Sequence, residues 1–181
     1  MFRVKDNLRE MVPRLMPLLA DRVLKFHDDH VDEICTAKGS GFNHQAWSGG
    51  YHDHIVQCLT LAEDQYKLLV GYTLHEGVNC YGPHAYRPDF TLADAALVLY
   101  FHDIEKIFKY GFKADRYHPE QISNKDIWYY GIIPEKYDIH FSDQELNALK
   151  YVHGEHDYSK TERKMKPLAA FCHVIDLSIL N

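Results

Sequence analysis

The stretch TLADAALVLYFHD, residues 91–103, constrains this chain more than any other. From Ala95 to Phe101 every residue is apolar, so a helix built from it has no face to offer water and must be surrounded by other elements. Thr91 and Asp94 stand at the spacing of a capping box that starts such a helix, and the run ends on His102 and Asp103. An ionised carboxylate carried to the end of a buried helix is costly unless something compensates it. The fold must therefore place other chemistry beside Asp103.

The elements available to surround it are helical in period. Leu8, Met11, Leu15, Leu19, Val23 and Phe26 recur at steps of three and four, with a break or kink expected near Pro13 and Pro17. TAKGSGFNHQAWSGG reads as loop, and the segment from about Tyr51 to Tyr72 as a long helix with Ile55, Cys58, Leu59, Ala62, Tyr66, Leu69 and Val70 apolar. HEGVNCYGPHAYRPDF is an irregular connection of unusual length. Ser142 and Glu145 form an S-x-x-E capping box ahead of Leu146, Leu149 and Val152, and Pro167 suits the first turn of a last helix, PLAAFCHVIDLSIL. No alternating strand pattern, internal repeat or low-complexity segment competes. The expected fold is an all-α compact bundle of five or more helices with long connecting loops, one domain over residues 1–181.

Composition narrows the function classes. A formal charge of −6 disfavours a sequence-blind grip on long nucleic acid, although Lys106, Lys109, Lys113, Arg116 and Lys125 concentrate positive charge in one aromatic-rich segment. Cys35, Cys58, Cys80 and Cys172 show neither a CxxC pair nor a disulfide framework, so reduced thiols in a cytoplasmic setting are expected. The longest apolar run of the N-terminal segment, Leu15 to Ala20, is interrupted by Pro17 and too short for a membrane or signal segment. The chain ends soon after Asp176, so any regulation is expected to come from partners or from a homo-oligomer.

Two compensations for His102 and Asp103 are physically available. One is a salt bridge from Lys106 or Arg116 with a hydrogen-bonded core histidine; the other is a divalent metal, which imidazole and carboxylate together suit. Asp176, set between FCHVI and LSIL, repeats the problem of Asp103, and a shared ion answers both. A histidine after Gly49 and Gly50 and His153 at the end of another helix add ligand-type residues. Periodicity does not choose between His52 and His54, which lie about 200° apart on a helix and cannot both face one ion.

GGYHDH, HDIEK and VIDLS occur in that order, and the pattern resembles the HD-domain superfamily of metal-dependent phosphohydrolases. That family often writes its dyad HDIGK and in one branch precedes the first ligand with HHA..GGLLEH; the chain has NHQAWSGGYHDH, with His54 at the ligand position, and Glu105 in place of the glycine. The resemblance runs from about Asn43 to Asp176 and implies an HD-type bundle in which His54, His102, Asp103 and Asp176 hold one metal ion. It further implies a second ion through His153 and His118, with His140 and His156 as alternatives, and Asp103 as the bridge and the centre of catalysis. One or two divalent ions, Mn, Co, Ni, Fe, Zn or Mg, are the expected cofactors.

Lys106, one turn beyond Asp103, is a candidate catalytic residue that neutralises phosphate charge. Lys109, Arg116, Lys113 and Arg87 are candidates for distal phosphates, and Trp47 or the tyrosines of the 81–86 loop for stacking on a base; an ordinary surface or core role competes at each. The expected activity is hydrolysis of a phosphoester of a small nucleotide-like molecule. A di-iron oxygenase and a non-catalytic nucleotide-binding module are the alternatives.

Overall fold

A computed structural model describes residues 7–41, 45–71, 88–112, 119–155 and 164–179. The protein is all-α, and no strand occurs among the described residues. The elements are α1 (Leu8–Leu15), α2 (Ala20–Asp29), α3 (Val31–Thr36), α4 (Gly50–Gly71), α5 (Leu92–Phe101), α6 (Glu105–Tyr110), α7 (Pro119–Ser123), α8 (Lys125–Ile127), a π-helical turn (Trp128–Ile132), α9 (Ile133–Tyr137), α10 (Asp143–Tyr151) and α11 (Pro167–Ile179). Among the described residues no helix is long and apolar enough to cross a membrane.

α5 is the axis of the bundle. Thr91 and Asp94 close its capping box, the Asp94 amide donating to Thr91 Oγ1 at 3.2 Å and the Thr91 amide to Asp94 Oδ2 at 2.7 Å. All residues from Ala95 to Phe101 are buried, and α1, α4, α10 and α11 pack around them. Burial of Leu97, Leu99 and Phe101 contributes about 2 kcal/mol each, which a helix with a wet face would forgo. α10 begins with the second capping box, Glu145 to Ser142, and packs along α11.

A second layer, α2, α3, α6, the π-helical turn and α9, joins this axis through aromatic side chains. Phe26 meets Phe101 and Tyr137 edge-on at 5.0 and 5.1 Å, and Phe108 stacks on Trp128 at 3.9 Å. The first stripe is split as its prolines imply, but at residues 16–19 around Pro17. Pro13 lies inside α1, where it forgoes one backbone hydrogen bond near the end of a short helix.

The glycine pair starts α4, each glycine for its own reason. Gly49 has φ 86°, a left-handed conformation that a side chain resists. Gly50 is limited by space: a Cβ there would collide with the Gln45 carbonyl oxygen and lie 3.1 Å from the Gly39 amide nitrogen. The loop before α4 is thus clasped against its first turn, with the Gly39 amide donating to Gln45 O at 2.9 Å and Tyr51 N to Ala37 O at 3.1 Å. Gly50→Ala is expected to cost about 2 kcal/mol or more in urea unfolding, because backbone must move to admit the methyl. An unchanged midpoint would contradict the tight approach.

Candidate metal centre

α4, α5 and α11 each deliver polar groups to one buried point. His54 lies one turn into α4, and the helix turns His52 away from it: the His52 ring is also buried, with Nδ1 3.5 Å from Asp53 Oδ1. His102 and Asp103 follow α5 where it breaks, and Asp176 points inward from α11. His54 Nε2 stands 3.3 Å from His102 Nε2, 3.6 Å from Asp103 Oδ2 and 3.3 Å from Asp176 Oδ1. His102 Nε2 stands 3.3 Å from Asp103 Oδ2 and 3.4 Å from Asp176 Oδ1.

These spacings pass the test for a shared ion. Two ligand atoms each about 2.1 Å from one ion lie about 3.0 Å apart at a right angle and about 3.4 Å apart at the tetrahedral angle. The His102 tautomer fits as well. Its Nδ1 lies 2.8 Å from the Leu99 carbonyl, which can only accept, so Nδ1 carries the proton and the Nε2 lone pair is left for a cation. Asp103 Oδ1 is buried with no hydrogen bond of good geometry, a further sign of an acceptor surplus.

Cys58, one turn beyond His54, brings a thiol to the same point. Its Sγ lies 3.6 Å from His54 Nε2, and ligand atoms of His54, Cys58, His102 and Asp176 all fall within 4.8 Å of one another. This buried group could hold a metal ion. Burial and the Asp176 and Asp103 carboxylates push the thiol well above its ordinary value.

The break after α5 aims the dyad. Residues 102–104 tighten into shorter turns, Ile104 N bonding Phe101 O at 3.1 Å and Lys106 N bonding Asp103 O at 2.9 Å. Carbonyls at the break also accept from the α8 and π-helical region, where the Tyr129 hydroxyl donates to Phe101 O at 3.0 Å and Lys125 Nζ to His102 O at 2.6 Å. His153 follows α10 in a turn completed by Gly154 at φ 95°, held by His173 Nδ1–H donating to Val152 O at 2.6 Å. The His153 ring reaches the outer oxygens of both carboxylates, 3.2 Å from Asp103 Oδ1 and 3.5 Å from Asp176 Oδ2.

Exposure rises outward from the cluster. Side chains of His54, His102, Asp103 and Asp176 are 0–6% exposed, whereas Lys106 is 19%, Lys125 28% and His153 40% exposed. Lys106 Nζ pairs with Asp103 Oδ2, and Lys125 Nζ lies 3.8 Å from Asp103 Oδ1 and 3.1 Å from Glu105 Oε2. Trp47 and Lys109 are placed otherwise: Trp47 Nε1 donates to Asp53 Oδ2 at 2.9 Å, and Lys109 lies over the Tyr110 ring. The exposed His140 pairs with Asp138. Arg87, Lys113, Arg116, His118, His156 and the tyrosines of the 81–86 loop lie outside the described residues.

Lys125 and Cys58 were not among the sequence-based candidates for the centre. Cys58 is signalled by its four-residue spacing from His54. Lys125 lies 22 residues beyond Asp103, and no local spacing predicts that approach.

The electrostatics are those of charge held out of water. Burial opposes ionisation of Asp103, but His102, Lys106 and Lys125 hold its carboxyl well below the ordinary value. Asp176 is likewise held low by His102 and His54 against burial. Burial disfavours a charged His102, yet the two carboxylates hold its imidazolium up to about 10; His54, which burial dominates, is pushed down.

Fold and centre together define an all-α protein with a buried His–Asp–Cys cluster that could hold a metal ion. No family model, curated protein or solved structure matches the chain.

Without metal, the raised His102 value contributes stability that is whole below pH 6.5, declines as pH rises and is gone above about 10. Urea unfolding of metal-free protein should therefore show falling stability across that interval. With metal in place of the proton, the His102 contribution to that slope disappears. Equal slopes with and without metal would contradict this linkage.

Proposed function

We propose that this protein is a metal-dependent phosphohydrolase of the HD-domain type, acting on a phosphoester of a small nucleotide-like substrate. One observation carries the reading: His54, the adjacent pair His102 and Asp103, and Asp176, from three distant parts of the sequence, converge at 3.3–3.6 Å, with two lysines and a histidine on the more exposed side. Their order along the chain is the order of the resembled motif.

His54, His102, Asp103 and Asp176 would hold the ion, with Cys58 as a further donor at its inner side. A divalent ion there would supply Lewis acidity and a water acidified toward neutral pH. The chain's own groups do the rest. Lys106 and Lys125 meet the negative oxygens of a phosphoester, where fixed cations stabilise charge that develops in the transition state. Burial pushes His153 below its ordinary value, so at neutral pH its imidazole is neutral and able to accept a proton at the mouth of the site. The buried floor limits water around the reacting phosphorus.

The test is release of phosphate or nucleoside from a panel of nucleotides by metal-stripped protein reloaded with Mn, Co or Mg. Turnover is expected on at least one member, and Lys106→Ala should lower it about 100-fold. No turnover on any member with any metal contradicts the reading. Oxygen consumption by iron-loaded protein, in place of hydrolysis, would favour a di-iron oxygenase.

A further inference from the structure

We propose that the Lys125 ammonium takes the place of a second divalent ion beside Asp103, so that the centre holds one ion only. The proposal deepens the metal-centre reading above and rests on it.

Asp103 has two oxygens with different surroundings. Oδ2 faces the cluster, 3.3 Å from His102 Nε2 and 3.6 Å from His54 Nε2. Oδ1 faces His153, 3.2 Å away, and Lys125, 3.8 Å away. A second ion bridged by Asp103 would bind Oδ1, take His153 Nε2 as its next ligand and need a further anion to balance its charge. Asp176 already serves the first ion, and Glu105, two residues from Asp103, is another carboxylate of this region. Its Oε2 lies 3.1 Å from Lys125 Nζ instead.

Lys125 is not a loose surface chain that an incoming ion could simply displace. Its ammonium donates to the His102 carbonyl at 2.6 Å, so it is anchored to the same turn that carries both dyad residues. The ion pair with Glu105 and the hydrogen bond donated to the His102 carbonyl hold the ammonium 3.8 Å from Oδ1, near enough to repel a divalent ion bound to that oxygen. The fixed ammonium then serves the outer phosphate oxygens, as the second ion of a two-metal clamp would. Lys106 pairs with Oδ2, but that oxygen also faces His54 and His102 and so belongs to the ligand set of the first ion, whereas Oδ1 has His153 alone beside Lys125.

The test is the binding stoichiometry of Mn²⁺ to chelator-stripped full-length protein, read by equilibrium dialysis with elemental analysis and by electron paramagnetic resonance. Wild type is expected to bind one ion per chain, with the spectrum of an isolated ion. Lys125→Met keeps the aliphatic stem and removes the charge, and it is expected to bind two ions with an exchange-coupled spectrum. Two coupled ions in wild type would overturn the proposal while leaving the metal centre intact. Lys125→Met binding one ion would overturn the role given to Lys125, and no ion in wild type would remove the metal centre on which the proposal stands.

Discussion

Everything around α5 answers one cost: two carboxylates, Asp103 and Asp176, are almost wholly buried. An isolated buried carboxylate would rather be neutral, yet both are held ionised because imidazoles and ammonium groups stand around them. The apolar helices α5 and α11 supply the burial, and His54, His102, Lys106 and Lys125 supply the compensation. Replacing a buried ionic cluster with hydrophobic side chains of similar volume is often neutral or stabilising, so stability alone does not account for this one.

The cluster depends on how the backbone aims the dyad. Had α5 continued without a break, Asp103 would have followed the helical rotation. The shorter turns at residues 102–104 redirect it, and Tyr129 and Lys125 donate to the Phe101 and His102 carbonyls at the break. The π-helical turn that contains Tyr129 is a costly local geometry often found near functional sites, and here it abuts the dyad's own backbone. At the opposite wall Gly49 and Gly50 start α4 in a left-handed turn and a close backbone approach, which fixes the rotation of that helix and puts His54 in the cluster.

Much of this was legible in the sequence where local chemistry decides the structure. The capping boxes at Thr91 and Ser142, the fully apolar α5, the long helix after the glycine pair and the last helix after Pro167 each carry their own signal. The region from Glu105 to Tyr137 did not read as helices, because α6 to α9 are three to six residues long and held by aromatic packing rather than by a sustained period. Residues 106–125 read only as a basic segment, yet they contain Lys125, whose approach to Asp103 depends on the chain folding back through that region. The rotation that separates His52 from His54 was likewise beyond periodicity, since both rings are buried and only the packing of α4 decides which one meets α5.

The account stands on the claim that His54, His102, Asp103 and Asp176 share one metal ion. X-ray absorption spectroscopy of protein loaded with Co²⁺ or Zn²⁺ tests it most directly. The account predicts nitrogen and oxygen ligands at about 2.0–2.2 Å and the Cys58 sulfur at about 2.3 Å, with multiple scattering from two imidazoles that is reduced to one by His54→Ala and unchanged by His52→Ala. An ion with only water-like oxygen ligands, or a spectrum that changes with His52→Ala and not with His54→Ala, would contradict it.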